Sequence, residues 1–295
     1  MKALAFVLLS MKGNAVAQKH ANDLNGSDWA KFSISVWGDI RKTPEERRLK
    51  HPAMFPEMLV RRIMQCFTTD EDKRVLDPFM GSGATLVAAR NMGKYGIGFE
   101  LNAKYIALAK KRLSQRTMFS ASDFEIHHTD ARQIATLVPA DSVDLCVTSP
   151  PYWDILLQKR TADYKEIRNY GNETGDLGRV TDYEQFIDAL GDVFKGVLHA
   201  LRPGRYCVVN VMDLRKKSRF YPYHADLARK MESIGFIWDD LIIWDRRQEY
   251  NNLRALGYPC VFRVNKIHEF VLIFKKPGNK GEVVESEDDS NTDSI

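Results

Sequence analysis

Short blocks rich in apolar and β-branched residues alternate along this chain with longer stretches whose apolar positions recur every three or four residues. The blocks RVLDPF (74–79), YGIGFEL (95–101), FEIHHTD (124–130), VDLCVTS (143–149), RYCVVNVMD (205–213), WDDLIIWD (238–245) and HEFVLIFKK (268–276) predict strands. Helical spacing marks PEMLVRRIMQCF (56–67), GATLVAARNM (83–92), AKYIALAKKRL (103–113), YEQFIDALGDVFKGVLHAL (183–201) and HADLARKMESIGF (224–236). Pro56 suits a helix start, Asn102 an N-cap, and the RPG at 202–204 a helix stop. Residues 13–50 read as polar and irregular.

Strands separated by helices predict an α/β fold with a mostly parallel sheet and helices on both faces. The last two strands have no helix between them and are expected to be antiparallel neighbours. Ligands in such sheets bind beyond the carboxyl ends of the strands. That rule selects the loops beginning near Asp77, Glu100, Asp130, Ser149 and Asp213.

Strand 74–79 runs into DPFMGSGAT (77–85), where Gly81 and Gly83 let backbone approach a ligand at a helix start. A dinucleotide fingerprint wants a third glycine at position 86, which is Leu86. Glu100 can accept both hydroxyls of a ribose and Asp130 can accept from an adenine amine. The set suits a nucleoside-bearing cofactor without a pyrophosphate. At strand four the chain reads TSPPYW (148–153). The proline pair fixes a turn. It carries a hydroxyl at Ser149 and an acceptor carbonyl at Pro150, with the Tyr152 and Trp153 rings just after, at the mouth of the sheet.

DPFMGSGAT followed by TSPPYW resembles the amino-methyltransferases of DNA, the cytosine-N4 and adenine-N6 family. HPAMFP (51–56) resembles that family's extra cofactor motif, and IHEFVLIFKK (267–276) its final strand. The resemblance implies a Rossmann-like fold with a seven-stranded sheet whose last strand is antiparallel. It also implies S-adenosylmethionine as cofactor. Asp77, Pro78, Phe79, Gly81, Ser82, Gly83 and Thr85 would surround the cofactor, with Glu100 on the ribose and Asp130 on the adenine. His51, Pro52, Ala53 and Phe55 would add a wall. Ser149, Pro150, Pro151, Tyr152 and Trp153 would form the catalytic loop, with the Ser149 hydroxyl and Pro150 carbonyl accepting from the N–H bonds of the planar amine, Tyr152 stacking on an extruded base, and Trp153 widening that platform or packing under it. SPPY is commoner than DPPY among cytosine-N4 enzymes, so cytosine N4 is the expected acceptor and adenine N6 the alternative. The cofactor half precedes the catalytic half, and the usual large recognition insert between them is missing. Methylation of RNA or of a protein amide, and non-catalytic binding of AdoMet or DNA, are the remaining readings.

Charge fits a nucleic-acid partner. The net charge is +4, and the last fifteen residues hold six acids and no Lys or Arg, so the first 280 carry +10. Basic and aromatic residues mix at 153–171, 213–224 and 245–266, where Lys216, Lys217, Arg219, Arg246, Arg247 and Arg254 are expected to meet double-stranded DNA. A cognate restriction endonuclease is a partner the resemblance admits, with the chain a monomer or homodimer. Four widely spaced cysteines argue against a disulfide framework or a metal site. His127 and His128 are adjacent on a strand and point to opposite faces. MKALAFVLLS has the outline of a secretion leader, but Lys12 interrupts it, and Met11 is a second candidate start. No other run is apolar enough to span a membrane, and a cytoplasmic location is expected. Residues 1–26 are expected to be irregular, 27–277 one catalytic domain, and 278–295 a disordered acidic tail.

Overall fold

The computed structural model describes residues 20–48, 55–114, 124–155, 175–249, 253 and 255–278. Helix α1 spans Gly26–Phe32, strand β1 Val36–Trp37, α2 Pro44–Arg48 and α3 Glu57–Phe67. There follow β2 (Arg74–Asp77), α4 (Ala84–Asn91), β3 (Tyr95–Phe99), α5 (Ala103–Leu113) and β4 (Phe124–His127). The second half holds α6 (Ile134–Leu137), β5 (Val143–Thr148), α7 (Tyr183–Ala200), β6 (Leu201–Val211), β7 (Leu214–Lys216), β8 (Arg219–Tyr221), α8 (Tyr223–Ser233), β9 (Ile237–Asp245) and β10 (His268–Lys275).

Among the described residues eight strands form one sheet in the order β1-β9-β10-β6-β5-β2-β3-β4. Only β10 runs against its neighbours, pairing Phe270 with Val211 on β6 and with Ile243 on β9. Strand alternation sends side chains to two cores. Leu76, Cys146, Cys207 and Val209 pack under α7 and α8, whereas Val75, Leu145, Val147 and Val208 pack under α3 and α4. All six residues of β5 are buried, as a central parallel strand requires.

Two expectations are corrected. The sheet has eight strands rather than seven, because residues within 13–50 are not wholly irregular. Val36 and Trp37 pair with Ile243 and Trp244, and the buried Trp37 ring anchors that edge. A two-residue strand is too short to show a period in the sequence. The helix stops just before the RPG as expected, but the strand expected at 205–213 begins earlier, at Leu201. Helix α7 ends at Ala200, and Arg202-Pro203-Gly204 opens β6, with Gly204 at φ +74° and its N–H donating to the Lys276 carbonyl at 3.0 Å. Proline is tolerated at a strand start. The Asn102 cap holds, with its side chain accepting from the Lys104 N–H. The leader-like start at 1–19 and the acidic tail from 279 onward lie outside the described residues.

Candidate active site

The carboxyl ends of β2, β3, β4 and β5 open into one cleft of about 1000 Å³, counting its mouth. Its wall includes Phe55, Pro78, Phe79, Gly81, Ser82, Glu100, Asp130, Ser149, Pro150, Pro151 and Tyr152. Two motifs far apart in the sequence therefore share one cavity because β2 and β5 are hydrogen-bonded neighbours.

Asp77, the last residue of β2, is fully buried and does not line the cleft. Its Oδ1 accepts from the Phe79 N–H at 3.0 Å and the Thr148 hydroxyl at 2.6 Å, and its Oδ2 accepts from the Thr85 hydroxyl at 2.6 Å. One carboxylate thus ties the end of β2 to the end of β5 and the start of α4. Burial pushes its pKa up to about 6, although these three donors favour the charged form. Thr85 and Gly83 also stand behind the cavity wall. Gly83 sits at φ +78°, and a Cβ there would lie 2.9 Å from the Ala109 Cβ, so only glycine lets α4 begin against α5.

Glu100 follows β3 and faces the cleft. Its Oε2 accepts from the Gly81 N–H at 3.0 Å and its Oε1 from the Asn102 N–H at 2.8 Å. The carboxylate keeps acceptor capacity for a ligand. Burial pushes the Glu100 pKa up to about 6. Asp130 lies across the cleft beyond β4, and its carboxylate accepts from the Arg132 backbone N–H at 2.9 Å and side-chain Nε at 3.0 Å. Partial burial works against its charged form, but Arg132 prevails and holds the pKa below the usual carboxylate range.

The proline turn leaves β5 with Ser149 partly exposed and Pro150 buried. Tyr223 on α8 donates its hydroxyl to the Pro151 carbonyl at 3.2 Å. The Tyr152 hydroxyl lies 3.4 Å from Ser149 Oγ and donates to Glu269 Oε2 at 3.1 Å. Glu269 is 5% exposed, and its carboxylate also accepts from Asn210 Nδ2 and Arg246 Nη1. A buried acid with three donors is a fixed post, so the Tyr152 ring is held from below. In the sequence Glu269 reads only as part of the start of a strand. The one available signal is an acid in an otherwise apolar edge of β10.

Trp153 packs under the platform and outside the cleft. It is 4% exposed, donates Nε1 to the Val180 carbonyl at 2.8 Å, and meets the Tyr183 and Tyr221 rings edge-on. Among the expected DNA contacts, Lys217 and Arg219 lie at the exposed β7–β8 hairpin, and Arg247 is exposed beside Asp245. Lys216 is turned partly inward, 2.6 Å from Asp154 and over the Trp153 ring at 3.8 Å. Arg246 departs from the expectation. Its guanidinium pairs with Glu269 and Glu249 and stacks on Trp244, so it is committed to the protein interior. His51, Pro52, Ala53 and Arg254 lie outside the described residues. Among the described residues no group of three His, Cys, Asp or Glu could hold a metal, and no helix is long and apolar enough to cross a membrane.

The Type II methyltransferase M2.LlaDCHI of Lactococcus lactis subsp. cremoris is 41% identical over 81 residues, covering 27% of this chain and 30% of that protein. The Type II methyltransferase M.BglII of Bacillus subtilis is 34% identical over 111 residues, covering 34% of this chain and 30% of that protein. The chain thus spans under a third of the length of these curated relatives. A candidate DNA modification methylase from Thermus thermophilus, solved in complex with S-adenosyl-L-methionine, is 29% identical with a TM-score of 0.35, covering 50% of this chain and 51% of that one. The sequence profile of the N6/N4 DNA methylases matches residues 9–111 and 143–295, which takes in both motifs of the cleft and most of the chain. The chain belongs to the N6/N4 DNA methylase family.

Proposed function

We propose that this chain transfers a methyl group from S-adenosylmethionine to an exocyclic amine of a base in double-stranded DNA, with cytosine N4 preferred to adenine N6. The observation that carries the reading is the single cleft lined by Glu100 and Asp130 at one end and by Ser149–Tyr152 at the other. The lining fits the cofactor. Glu100 can accept from ribose hydroxyls, Asp130 from the adenine amine, and Phe55, Phe79 and Tyr105 supply apolar wall. Bound there, S-adenosylmethionine supplies a methyl group made electrophilic by its sulfonium.

An exocyclic amine is a weak nucleophile because its lone pair is delocalised into the ring. Acceptors aimed at its two N–H bonds hold the nitrogen closer to tetrahedral and restore the lone pair. This reading assigns that role to the Ser149 hydroxyl and the Pro150 carbonyl, on a turn whose geometry the two prolines set beforehand. Tyr152, fixed through Glu269, offers the face against which an extruded base can stack. Holding both reactants in one cleft supplies much of the acceleration. The choice of cytosine rests on serine at position 149.

Ser149→Ala should lower turnover by roughly two orders of magnitude, in the range of losing one positioned hydrogen-bond partner, while calorimetry finds S-adenosylmethionine affinity unchanged. Equal losses in both would remove Ser149 from the amine end. Transfer of labelled methyl to duplex DNA, rather than RNA or protein, separates the substrate classes. A cognate nuclease is part of the same reading and would be sought by the site it cuts.

A further inference from the structure

Strands β6, β9 and β10 carry a second set of loops at the same end of the sheet, on the side of β5 away from Glu100 and Asp130. One is the β7–β8 hairpin. The other joins Asp245 to His268, and its root is closed by the Arg246 N–H donating to the Ile267 carbonyl at 2.8 Å. This second loop presents unusual surface. Tyr258 is 82% exposed and Phe262 89% exposed, with Leu253, Val261 and Val264 exposed beside them. Single exposed apolar residues are ordinary, but a run of them within one loop forms a patch that calls for a partner.

The patch is presented by a formed turn. The Val261 N–H donates to the Gly257 carbonyl at 2.7 Å, and Gly257 sits at φ +78°, where a Cβ would collide with the Val261 oxygen. The turn therefore requires glycine at 257, and it sets Tyr258 and Phe262 on its outer surface. Cations lie within the loop and on the neighbouring hairpin. The Arg263 side chain packs at Gly257 in the turn, Lys266 reaches over the Phe220 ring of the hairpin at 4.5 Å, Arg215 approaches that ring at 5.6 Å, and Lys217 and Arg219 are exposed on the same hairpin. Flat apolar rings bordered by cations fit a partner whose charge lies outside and whose flat faces lie inside. Duplex nucleic acid has that construction.

We propose that Tyr258 and Phe262 are base-stacking residues that enter duplex DNA next to the Ser149 cleft, while the hairpin and Lys266 hold the phosphates. This rests on the reading that the chain acts on DNA, and adds to it the residues that open the stack. The root of the loop is tied to the cleft, because Arg246 pairs with Glu269, which holds Tyr152.

The test uses the full chain with S-adenosylhomocysteine and a random-sequence duplex, followed by fluorescence anisotropy across a salt series. Tyr258→Ala/Phe262→Ala should bind the duplex roughly tenfold or more weakly, as loss of base–aromatic stacking does. The slope of log affinity against log salt should stay as in the wild type, because no charge is lost. Lys217→Glu/Arg219→Glu should instead flatten that slope. Cys260 gives an independent reading, being exposed while Cys146 and Cys207 are buried. Duplex should slow its alkylation in the wild-type chain. Undiminished duplex affinity in the aromatic double variant, together with unprotected Cys260, overturns the inference and leaves the proposed function standing. A variant that loses only self-association, or only binding to anionic lipid vesicles, also overturns it. A wild-type chain that binds S-adenosylhomocysteine but no duplex defeats the functional reading itself.

Discussion

At the glycine-loop end of the cleft the supports come mainly from nearby in the sequence. Asp77 holds Phe79 and Thr85, two and eight residues on, and Glu100 holds Gly81 nineteen residues back. At the proline-loop end they come from far away. Tyr152 is held by Glu269 at a separation of 117 residues, Pro151 by Tyr223 at 72, and Glu269 itself by Asn210 at 59. The first end is a strand–turn–helix unit whose geometry follows from its own residues. The second exists only when β6, β10 and α8 are in place around it. Damage should therefore spread differently from the two ends.

The largest expected effect separates them. Glu269→Ala removes the one acceptor that Arg246, Asn210 and Tyr152 share and leaves Arg246 with Glu249 as its ion-pair partner, so stability should fall by about 3–5 kcal/mol. Under conditions where the variant stays folded, turnover should collapse while S-adenosylmethionine affinity is little changed. Urea unfolding with parallel calorimetry checks both, and an equal loss of cofactor affinity would show that the two ends are not separately supported. Asp77→Ala, at the other end, removes one acceptor from two buried hydroxyls and a backbone N–H. It should cost about 3 kcal/mol and, unlike Glu269→Ala, weaken cofactor binding as well as turnover, because the same carboxylate ties β2 to β5.

This contrast also decides how much can be read from the sequence. The blocks at 74–79, 95–101, 143–149 and 268–276 are plain because central strands are continuously apolar, and the two motifs sit directly on strand ends. Glu269 is illegible, since nothing local links an acid on β10 to a tyrosine 117 residues earlier. Arg246 and Arg247 look equivalent as adjacent cations, yet the first is bound to Glu269 and Glu249 and the second is exposed. Asp77 and Thr85 belong to the right motif, but burial puts them behind the wall. Strand β1 escapes notice because two residues carry no periodicity.

Protonation offers a sharper view of the glycine-loop end. The ribose role proposed for Glu100 needs an ionised carboxylate, and burial pushes its pKa up to about 6. S-adenosylmethionine affinity should be flat above pH 7 and fall below pH 6 by roughly tenfold per unit. Glu100→Gln should bind weakly at every pH with that dependence gone, and a persisting dependence would point to another group. Stability without cofactor should run the opposite way. Asp77 and Glu100 both titrate higher in the folded chain than unfolded, so their contribution is full below the ordinary carboxylate range and is lost as pH rises through about 6. Calorimetric scans across that window would read the slope.

Smaller effects complete the comparison. Gly83→Ala places a Cβ against Ala109 in left-handed backbone and should cost about 1–2 kcal/mol, with cofactor affinity falling more than DNA affinity. Arg247→Ala should leave stability within about 0.5 kcal/mol and reduce the salt slope of DNA binding by about one. Arg246→Ala should instead destabilise the chain. If the two arginines behaved alike, the inward placement of Arg246 would be wrong.

The most direct test of a single methyl-transfer cleft is mass spectrometry of nucleosides from duplex DNA incubated with the chain and S-adenosylmethionine. N4-methylcytosine is the expected product, abolished by Ser149→Ala. N6-methyladenine would keep the cleft and its chemistry but contradict the use of serine at 149 to choose the base. No methylated nucleoside from any duplex, with S-adenosylmethionine still bound, would contradict the account.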